Sequence, residues 1–298
     1  MEDIKVIPPK ISWFAHIDIT THCHIGNCVY CSRFERHIPE DKKYFMALSQ
    51  IRAALEAYKT YPKRIGIIGG EPQLHPEFEQ VCNLLLEYGS RRRYGLWTSI
   101  DPNTSKWSSV IARTFKFIAF NQHNPGQQQV CKHQPLTVAL KDAVENAELR
   151  AEQTSQCYFG TQWCYTATPL GGYYCEVGAF LAYLQGIKGW GLKEGWWKND
   201  WHEQEDICQL CGGCVPQERQ LLCHPKQRMS KSFLEMLIKN GCKLGDYELV
   251  ETPYTIEYMK RHASENIGAY RGDRGGRRDT EKPTIHIDWS KYEKTLDG

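Results

Sequence analysis

Three cysteines stand within nine residues near the beginning of the chain: Cys23, Cys28 and Cys31. Polar and glycine residues surround them, so the backbone can fold back and bring the three thiols together. No fourth cysteine stands nearby in the sequence. An iron–sulfur cluster is usually held by four cysteines, so a cluster on this loop would keep one iron open to another ligand. An open coordination position allows a metal centre to act on a bound molecule.

A structural zinc site is the alternative interpretation of the same loop. C-x-x-C pairs are common in zinc sites, and His22 or His24 could supply a fourth ligand. The spacing of the cysteines by itself leaves both interpretations open.

The composition limits the class of protein. The chain has 298 residues, of which 41% are hydrophobic, enough for one large domain or a domain with an appendage. Its net charge of +2 gives no steering toward nucleic acid or acidic membranes. We find no signal peptide and no apolar run of membrane-spanning length, so we expect a cytoplasmic protein. Thirteen cysteines in such a chain favour metal sites over disulfides.

Strand and helix patterns alternate through the first half of the chain. Such alternation predicts right-handed βαβ units around a parallel sheet. Five or six units are too few for a closed eight-stranded barrel, so we predict an α/β fold with an open, partial parallel barrel. Predicted strands cover 13–20, 64–68, 94–99, 115–120 and 158–163, and predicted helices include 48–58, 78–88, 136–152 and 230–240.

The loops that follow parallel strands usually build the functional site. One such loop is the turn Gly69-Gly70-Glu71-Pro72, which follows a predicted buried strand. The two glycines allow close backbone approach, Glu71 offers a carboxylate suited to an ammonium group, and Pro72 rigidifies the turn. Ser99 and Asn121 occupy the ends of the next two predicted strands.

Together, the cysteine loop and the glycine turn resemble those of the radical S-adenosylmethionine superfamily. That family has a three-cysteine loop after its first strand, an aromatic residue before the third cysteine, here Tyr30, and a Gly-Gly-Glu-Pro turn after its second strand. The usual spacing is C-x3-C-x2-C, whereas this chain has C-x4-C-x2-C. We interpret the difference as a one-residue expansion of the loop.

The resemblance implies a cofactor set and its chemistry. Cys23, Cys28 and Cys31 would bind a 4Fe–4S cluster whose unique iron is chelated by S-adenosylmethionine. An electron from an external donor such as flavodoxin or ferredoxin would cleave the S–C5′ bond, and the 5′-deoxyadenosyl radical would abstract hydrogen from a substrate. The cofactor would contact Tyr30, Gly69, Gly70, Glu71, Pro72, Ser99 and Asn121.

A second group of cysteines begins at residue 157. Its members resemble the ligands of the twitch module, a shortened relative of the SPASM domain, and the pattern is similar to that of radical dehydrogenases acting on aminocyclitols. The resemblance implies a second, auxiliary 4Fe–4S cluster, with Cys164 or Cys214 able to replace one ligand. A zinc ribbon is the alternative for the same residues. The predicted ligands are Cys157, Cys175, Cys208 and Cys211.

These assignments divide the chain into a core at 1–156, a cysteine-rich module at 157–225 and a C-terminal region at 226–298. The last part, with its Arg/Gly-rich stretch at 271–278, predicts a mobile or covering tail. Cys223 and Cys242 are candidates for a catalytic thiol that returns a hydrogen atom to a substrate radical.

Three functions fit these observations. The first is dehydrogenation or epimerisation of a small polar substrate such as a sugar, aminocyclitol or aminoglycoside. The second is modification of a ribosomally made peptide, although only about twelve residues precede the first predicted strand. The third is a zinc-stabilised binding protein without catalysis, in which the basic tail would contact nucleic acid; the balanced charge disfavours nucleic acid as a partner.

Overall fold

A computed structural model describes residues 14–26, 28–121, 132–221, 224, 226–251, 253–263 and 287–293. Six strands form one sheet in the order β4-β3-β2-β1-β6-β7, and two pairs of short strands, β5 with β8 and β9 with β10, lie apart from it. The strands are β1 Phe14–Asp18, β2 Arg64–Ile68, β3 Tyr94–Thr98, β4 Phe117–Phe120, β5 Lys132–His133, β6 Cys164–Thr168, β7 Gly171–Tyr173, β8 Gln220–Leu221, β9 Gln227–Ser230 and β10 Tyr247–Val250.

The strand β1 lies near the centre of the large sheet. It pairs in parallel with β2 on one side, where Asp18 lies opposite Ile68, and with β6 on the other, where Phe14 lies opposite Cys164. The strand β7 turns back antiparallel to β6. Within the described ranges β4 and β7 are the edges of the sheet and do not pair with each other, which confirms the predicted α/β class and open, partial barrel.

Helices cover the sheet and the C-terminal half. Apolar side chains of α1 and α2 recur every three or four residues and face the sheet, as the sequence pattern predicts. The helices are α1 Leu48–Ala57, α2 Phe78–Tyr88, α3 Ser108–Thr114, α4 Leu140–Ala143, α5 Ala147–Ser155, α6 Glu176–Gln185, α7 Glu205–Cys208, α8 Lys231–Lys239, α9 Ile256–His262 and α10 Ser290–Glu293.

Two predicted elements are wrong. The segment predicted as a strand over 158–163 contains a π-helical turn, Phe159–Trp163, and the strand starts one residue later at Cys164. The single helix predicted over 136–152 is two helices. Asn146 begins the second by accepting a hydrogen bond from the backbone N–H of Leu149 at 2.9 Å, because a side-chain cap favours a new helix start over continuation.

The core extends across the predicted division of the chain. The strands β6 and β7, which follow residue 157, complete the central sheet. Met229 and Phe233, which follow residue 226, are fully buried in the main hydrophobic cluster, and a second cluster joins Val138 and Leu149 to Met259. The division into three domains therefore stays a prediction. The Arg/Gly-rich stretch lies outside the described residues.

No helix among the described residues is both long and apolar enough to cross a membrane.

Candidate functional site

The three-cysteine loop follows directly from the end of β1. Cys23, Cys28 and Cys31 are all half-buried and carry free thiols. Tyr30 adopts a left-handed backbone conformation with φ of 62°, and the amide of Cys31 donates to the carbonyl of Cys28 at 3.4 Å. Burial, with the thiols of Cys31 and Cys23 adding to it, raises the pKa of Cys28 to about 12. The fold therefore gathers three thiols that ionise together only when a cation compensates their charge.

The glycine turn fits against the backbone of this loop. The amide of Gly70 donates to the carbonyl of Thr20 at 2.7 Å, and the amide of Glu71 donates to the carbonyl of His22 at 2.8 Å. A Cβ atom on Gly69 would lie 2.5 Å from the Thr20 carbonyl oxygen, and one on Gly70 would lie 2.4 Å from the His22 carbonyl oxygen. Both glycines are needed because the entrance to the cysteine loop passes directly over them.

Glu71 joins the end of β2 to the end of β3. Its buried carboxylate accepts hydrogen bonds from the amide and hydroxyl of Ser99 at 2.7 and 2.8 Å and from the hydroxyl of Thr98 at 2.7 Å. Pro72 starts the short 3-10 turn that follows. Neither Glu71 nor Pro72 is among the cavity-lining residues in the described part of the chain, so both act from behind the surface that a ligand would meet.

A cavity opens between the cysteine loop and the carboxyl ends of the strands. The three cysteines contribute one wall, and the ends of β2, β3 and β4 contribute another. The phenol of Tyr30 points away to Gln220 and to the amide of Arg228, the latter at 2.9 Å. Of the predicted site residues, the cavity brings together Cys23, Cys28, Tyr30, Cys31, Gly69, Gly70, Ser99 and Asn121.

A buried ion pair that sequence reasoning missed forms the floor of this cavity. Arg33 lies 3.3 Å from the carboxylate of Glu176, through Nη2 and Oε2, and 3.6 Å from that of Asp18, through Nε and Oδ2. Arg33 and Glu176 both line the cavity. Each directly follows a cysteine segment, Arg33 two residues after Cys31 and Glu176 one residue after Cys175, and that placement is the sequence signal that could have indicated them.

Glu176 accepts more hydrogen bonds than the other charged groups of the floor. Its Oε2 atom accepts from His16 Nδ1 at 3.0 Å, from the indole of Trp163 at 3.1 Å and from the thiol of Cys164 at 3.4 Å, besides Arg33. Burial would raise the pKa of Glu176, but Arg33 and the hydrogen bond from His16 outweigh it and hold that pKa well below its ordinary value. Glu176 is thus a fixed anion that orients its neighbours.

The carboxyl group of Asp18 has the opposite character. Burial raises the pKa of Asp18 to about 7, against the opposing effects of Arg33 and of the hydrogen bond that Tyr44 donates at 3.0 Å. The charged floor therefore combines one permanent cation, one permanent anion and one carboxyl group that is readily protonated.

The second group of cysteines lies behind the opposite wall of the cavity. Cys175 precedes α6 and its sulfur accepts from the amide of Gly178 at 3.2 Å, while the sulfur of Cys211 accepts from the amide of Gly213 at 3.2 Å. Burial raises the pKa of Cys208, and the thiols of Cys175, Cys211 and Cys157 add to this effect. The four predicted ligands therefore lie near one another although they come from separate elements, with Cys175 and Cys211 buried and Cys157 and Cys208 half-buried.

Neighbours of these four cysteines form part of the cavity wall. Four of these neighbours line the cavity. Tyr158 and Phe159 follow Cys157, Glu176 follows Cys175, and Gly213 stands two residues after Cys211. A Cβ atom on Gly213 would lie 3.1 Å from the ring of Phe159 and 3.2 Å from the sulfur of Cys211. One layer of residues therefore separates the cavity from the second group of thiols.

The spacing of the thiols bears on which metal they suit. A tetrahedral zinc ion with Zn–S bonds of about 2.3 Å holds its sulfur atoms about 3.8 Å apart. In the described part of the chain, one group of three possible metal ligands has all its ligand atoms within 4.8 Å of one another: His16, Cys164 and Glu176. Among these described residues, neither cysteine group has three sulfur atoms that close together. Neither cysteine group is therefore arranged at the spacing that a single zinc ion requires.

The compact group of His16, Cys164 and Glu176 is itself a hydrogen-bonded network. The guanidinium of Arg33 already neutralises Glu176, and burial lowers the pKa of His16. Cys164 belongs to this network through its bond to Glu176.

Of the two candidate catalytic thiols, Cys242 lies within the described residues. Cys242 follows α8, and its sulfur lies 3.8 Å from the carbonyl of Leu184 in α6. It is not among the cavity-lining residues that the structure describes. Cys223 lies outside the described residues, so its predicted role stays a prediction.

Comparison with known proteins gave solved structures only. No protein-family model and no curated protein matched the chain. A structure of BtrN in complex with AdoMet and 2-DOIA aligns with a TM-score of 0.45 at 14% identity, over 68% of this chain and 89% of that one. Selenomethionine BtrN in an open conformation aligns with a TM-score of 0.40 at 14% identity, over 68% of this chain and 88% of that one.

Proposed function

We propose that this chain is a radical S-adenosylmethionine enzyme that dehydrogenates a small polar substrate held between two iron–sulfur clusters. The observation that carries the proposal is the position of one cavity between two groups of thiols. Cys23, Cys28 and Cys31 line it on one side, and the other side includes Tyr158 and Glu176, which directly follow Cys157 and Cys175, and Gly213, which stands two residues after Cys211. Three thiols leave a position open for a cofactor, whereas four complete a closed set.

The residues at the strand ends suit the cofactor. Gly69 and Gly70 present bare backbone to the cavity, so the amino group of S-adenosylmethionine would meet main-chain atoms there. Ser99 and Asn121 offer polar side chains at the ends of β3 and β4 for its carboxylate or ribose. Glu71 would act by holding Ser99 in place through the two hydrogen bonds described above.

The opposite part of the cavity suits a small polar substrate. Trp97, Trp163 and Phe159 provide flat apolar surfaces, and the Arg33–Glu176 pair provides a charged floor. A hydroxyl group of the substrate can accept from the guanidinium and donate to the carboxylate at the same time. A group carrying a full charge of either sign would meet one unfavourable partner in this pair.

When bound, the clusters and S-adenosylmethionine would supply a radical that removes one hydrogen atom from the substrate and a site that accepts one electron. The remaining step is loss of the hydroxyl proton together with transfer of one electron to that site, which turns the substrate radical into a carbonyl compound. Asp18, whose carboxyl group lies 3.6 Å from Arg33 and whose pKa is raised by burial, is the group of the charged floor that can hold that proton. In total the substrate would lose two hydrogen atoms, one to 5′-deoxyadenosine and one as a proton.

Dehydrogenation is favoured over epimerisation by the placement of the thiols. Epimerisation requires a thiol that returns a hydrogen atom to the substrate. Among described residues the cavity-lining thiols are the three predicted cluster ligands, and Cys242 bonds to the backbone of α6 instead.

Anaerobic reconstitution with iron and sulfide, followed by reductant and S-adenosylmethionine, tests the proposal. We expect formation of 5′-deoxyadenosine by the wild type and none by the variant with Cys23, Cys28 and Cys31 all changed to Ala. With a panel of sugars and cyclitols, we expect a product two mass units lighter than its substrate. Absence of cofactor cleavage by the iron-loaded wild type would overturn the proposal, and a product of unchanged mass that has gained solvent deuterium would indicate epimerisation.

A further inference from the structure

Tyr30 is held in a strained conformation inside the three-cysteine loop. It stands two residues after Cys28 and directly before Cys31, it is fully buried, and its backbone is left-handed with φ of 62°. Residues other than glycine rarely adopt this conformation, which persists only where the surrounding structure holds it. Within the loop, the bond from the amide of Cys31 to the carbonyl of Cys28 is long, at 3.4 Å. We therefore looked for support from outside the loop.

The phenol of Tyr30 provides that support through two hydrogen bonds. Its hydroxyl donates to the side-chain carbonyl of Gln220 in β8, and it accepts from the amide of Arg228 in β9 at 2.9 Å. These partners stand 190 and 198 positions later in the chain, and they belong to two different two-stranded sheets. One hydroxyl group therefore joins the cysteine loop to two C-terminal elements.

A series of further hydrogen bonds fixes the partners of Tyr30. The guanidinium of Arg228 donates to the hydroxyl of Tyr254 at 2.8 Å, and that hydroxyl donates to the side-chain carbonyl of Gln217 at 3.0 Å. Gln217 is fully buried, and its amide nitrogen donates to the carbonyl of Pro135 at 2.9 Å. Buried polar networks whose members all have partners are rigid, so β9 offers Tyr30 a fixed point of attachment.

A purely apolar role does not account for this arrangement. The ring of Tyr30 does belong to the main hydrophobic cluster, but phenylalanine would fill the same space. Burying a hydroxyl group costs free energy unless the group is hydrogen-bonded. Here the hydroxyl has both an acceptor, Gln220, and a donor, the amide of Arg228. The hydroxyl, rather than the ring, is therefore the group that distinguishes Tyr30.

We propose that the hydroxyl of Tyr30 is an anchor that holds the three-cysteine loop in the shape that binds the first cluster, with Gln220 and Arg228 as its attachment points. The glycine turn holds the entrance of the loop, and this anchor holds its end, beside Cys31. Tyr30 is thus a positioning residue, which acts by placing the neighbouring thiols. The inference rests on the proposed function, because it assigns a cluster to this loop.

Thiol labelling of the reduced, metal-free protein tests the anchor without depending on bound iron. The variants are Tyr30→Phe, which removes the hydroxyl, and Gln220→Met, which removes its acceptor. Tyr173→Phe is the matched control, because Tyr173 is 1% exposed and its hydroxyl donates to the carbonyl of Ile187 at 2.7 Å. The rate of alkylation by iodoacetamide is measured for each cysteine by mass spectrometry of its peptide. Cys82, which is fully buried in α2, reports unfolding of the whole protein.

We expect Cys28 and Cys31 to be labelled about tenfold faster in Tyr30→Phe and in Gln220→Met than in the wild type, because loss of a buried hydrogen bond favours local opening. The labelling rate of Cys82 should stay unchanged, and Tyr173→Phe should behave as the wild type. Unchanged rates at Cys28 and Cys31 in either loop variant would overturn the anchor. An equal acceleration at Cys82, or in Tyr173→Phe, would also overturn it, because the effect would then be general.

Iron release to a chelator separates the anchor from the proposed function. After anaerobic reconstitution, we expect Tyr30→Phe to lose about four irons faster than the wild type and the others at the wild-type rate. Equal release by the two proteins would overturn the role of the anchor in holding a cluster. A wild type that takes up no iron would overturn the proposed function, and labelling of the metal-free proteins would still decide whether the hydroxyl holds the loop.

Discussion

The two cysteine groups of this protein are built in opposite ways. Cys23, Cys28 and Cys31 belong to one continuous loop and are half-buried at the cavity surface. The second group comes from the end of α5, the start of α6, the end of α7 and the loop that follows, and it lies behind the cavity wall. A local loop with three thiols at the cavity surface suits a centre that must bind an exchangeable ligand, whereas four thiols behind the wall suit one that must stay closed.

The comparison also shows where each group obtains its support. The cysteine loop is held by backbone contacts with the strand end at Gly69 and Gly70. The second group includes cysteines from the start of α6 and the end of α7, which pack against each other. The Arg33–Glu176 pair connects the two, since one partner follows each group.

Removing the ligands of each group should have the largest and most distinct effects. We expect the triple Ala variant of the cysteine loop to lose cofactor cleavage completely and to keep about four irons. We expect the Cys208→Ala, Cys211→Ala variant to keep cofactor cleavage and to give no oxidised product. Quantifying 5′-deoxyadenosine and product in the same reactions separates the two. Equal loss of both activities in the second variant would contradict the division of labour between the two groups.

Breaking the Arg33–Glu176 ion pair, which connects the two cysteine groups, should lower kcat/KM by about 100-fold, because without the pair the substrate is no longer held in the orientation that the reaction needs. The change is Arg33→Met, which retains length and removes the charge that faces Glu176 and Asp18. Arg52→Met is the control, because its ion pair with Glu87 is exposed and such pairs contribute little. Steady-state kinetics on the iron-loaded proteins provides the measurement. If Arg33→Met left kcat/KM unchanged, the charged floor would have no part in binding the substrate.

Adding a methyl group at Gly70, where the glycine turn packs against the cysteine loop, should lower the free energy of unfolding by about 3 kcal/mol. In Gly70→Ala the new methyl group would lie 2.4 Å from the His22 carbonyl oxygen, so the loop entrance must move. Gly191→Ala is the control, because a Cβ atom there meets nothing within 4 Å. Denaturant unfolding of both metal-free variants measures the difference. If Gly70→Ala and Gly191→Ala had equal free energies of unfolding, close packing against the His22 carbonyl would not be the reason for glycine at position 70.

The segment after the cysteine loop should also make stability depend on pH. His37 is buried between the carbonyl of Lys243 at 2.6 Å and the side chain of Gln227 at 3.0 Å. Burial lowers the pKa of His37 from 6.5 to about 4, despite these hydrogen bonds. The unfolded chain therefore takes up the proton first, so the stabilisation is complete above pH 6.5 and is lost as the pH falls toward 4.

Between pH 6.5 and 4.5 we expect this one group to cost roughly 2 kcal/mol of unfolding free energy. His37→Gln should remove that part of the pH dependence, because glutamine does not titrate. Denaturant unfolding at a series of pH values provides the measurement. An unchanged pH dependence in the variant would mean that His37 is protonated in the folded protein as readily as in the unfolded chain.

Local patterns predicted a large part of this architecture. The first four strands lie within a few residues of their predicted positions, because alternation and apolar runs report burial on a sheet directly. The three-cysteine loop and the glycine turn were placed together at the same edge, because parallel strands direct their following loops to one side. The errors lie at 136–163, where the side-chain cap of Asn146 and a π-helical turn interrupt patterns that looked continuous.

The sequence by itself determined the open α/β sheet and three thiols on one loop, because both depend on residues close together in the chain. Only the tertiary structure decided the rest of the site. It joined Arg33 to Glu176 across 143 positions and His16 to Glu176 across 160. Such contacts arise when β6 returns to the side of β1, and no spacing within a single segment records them.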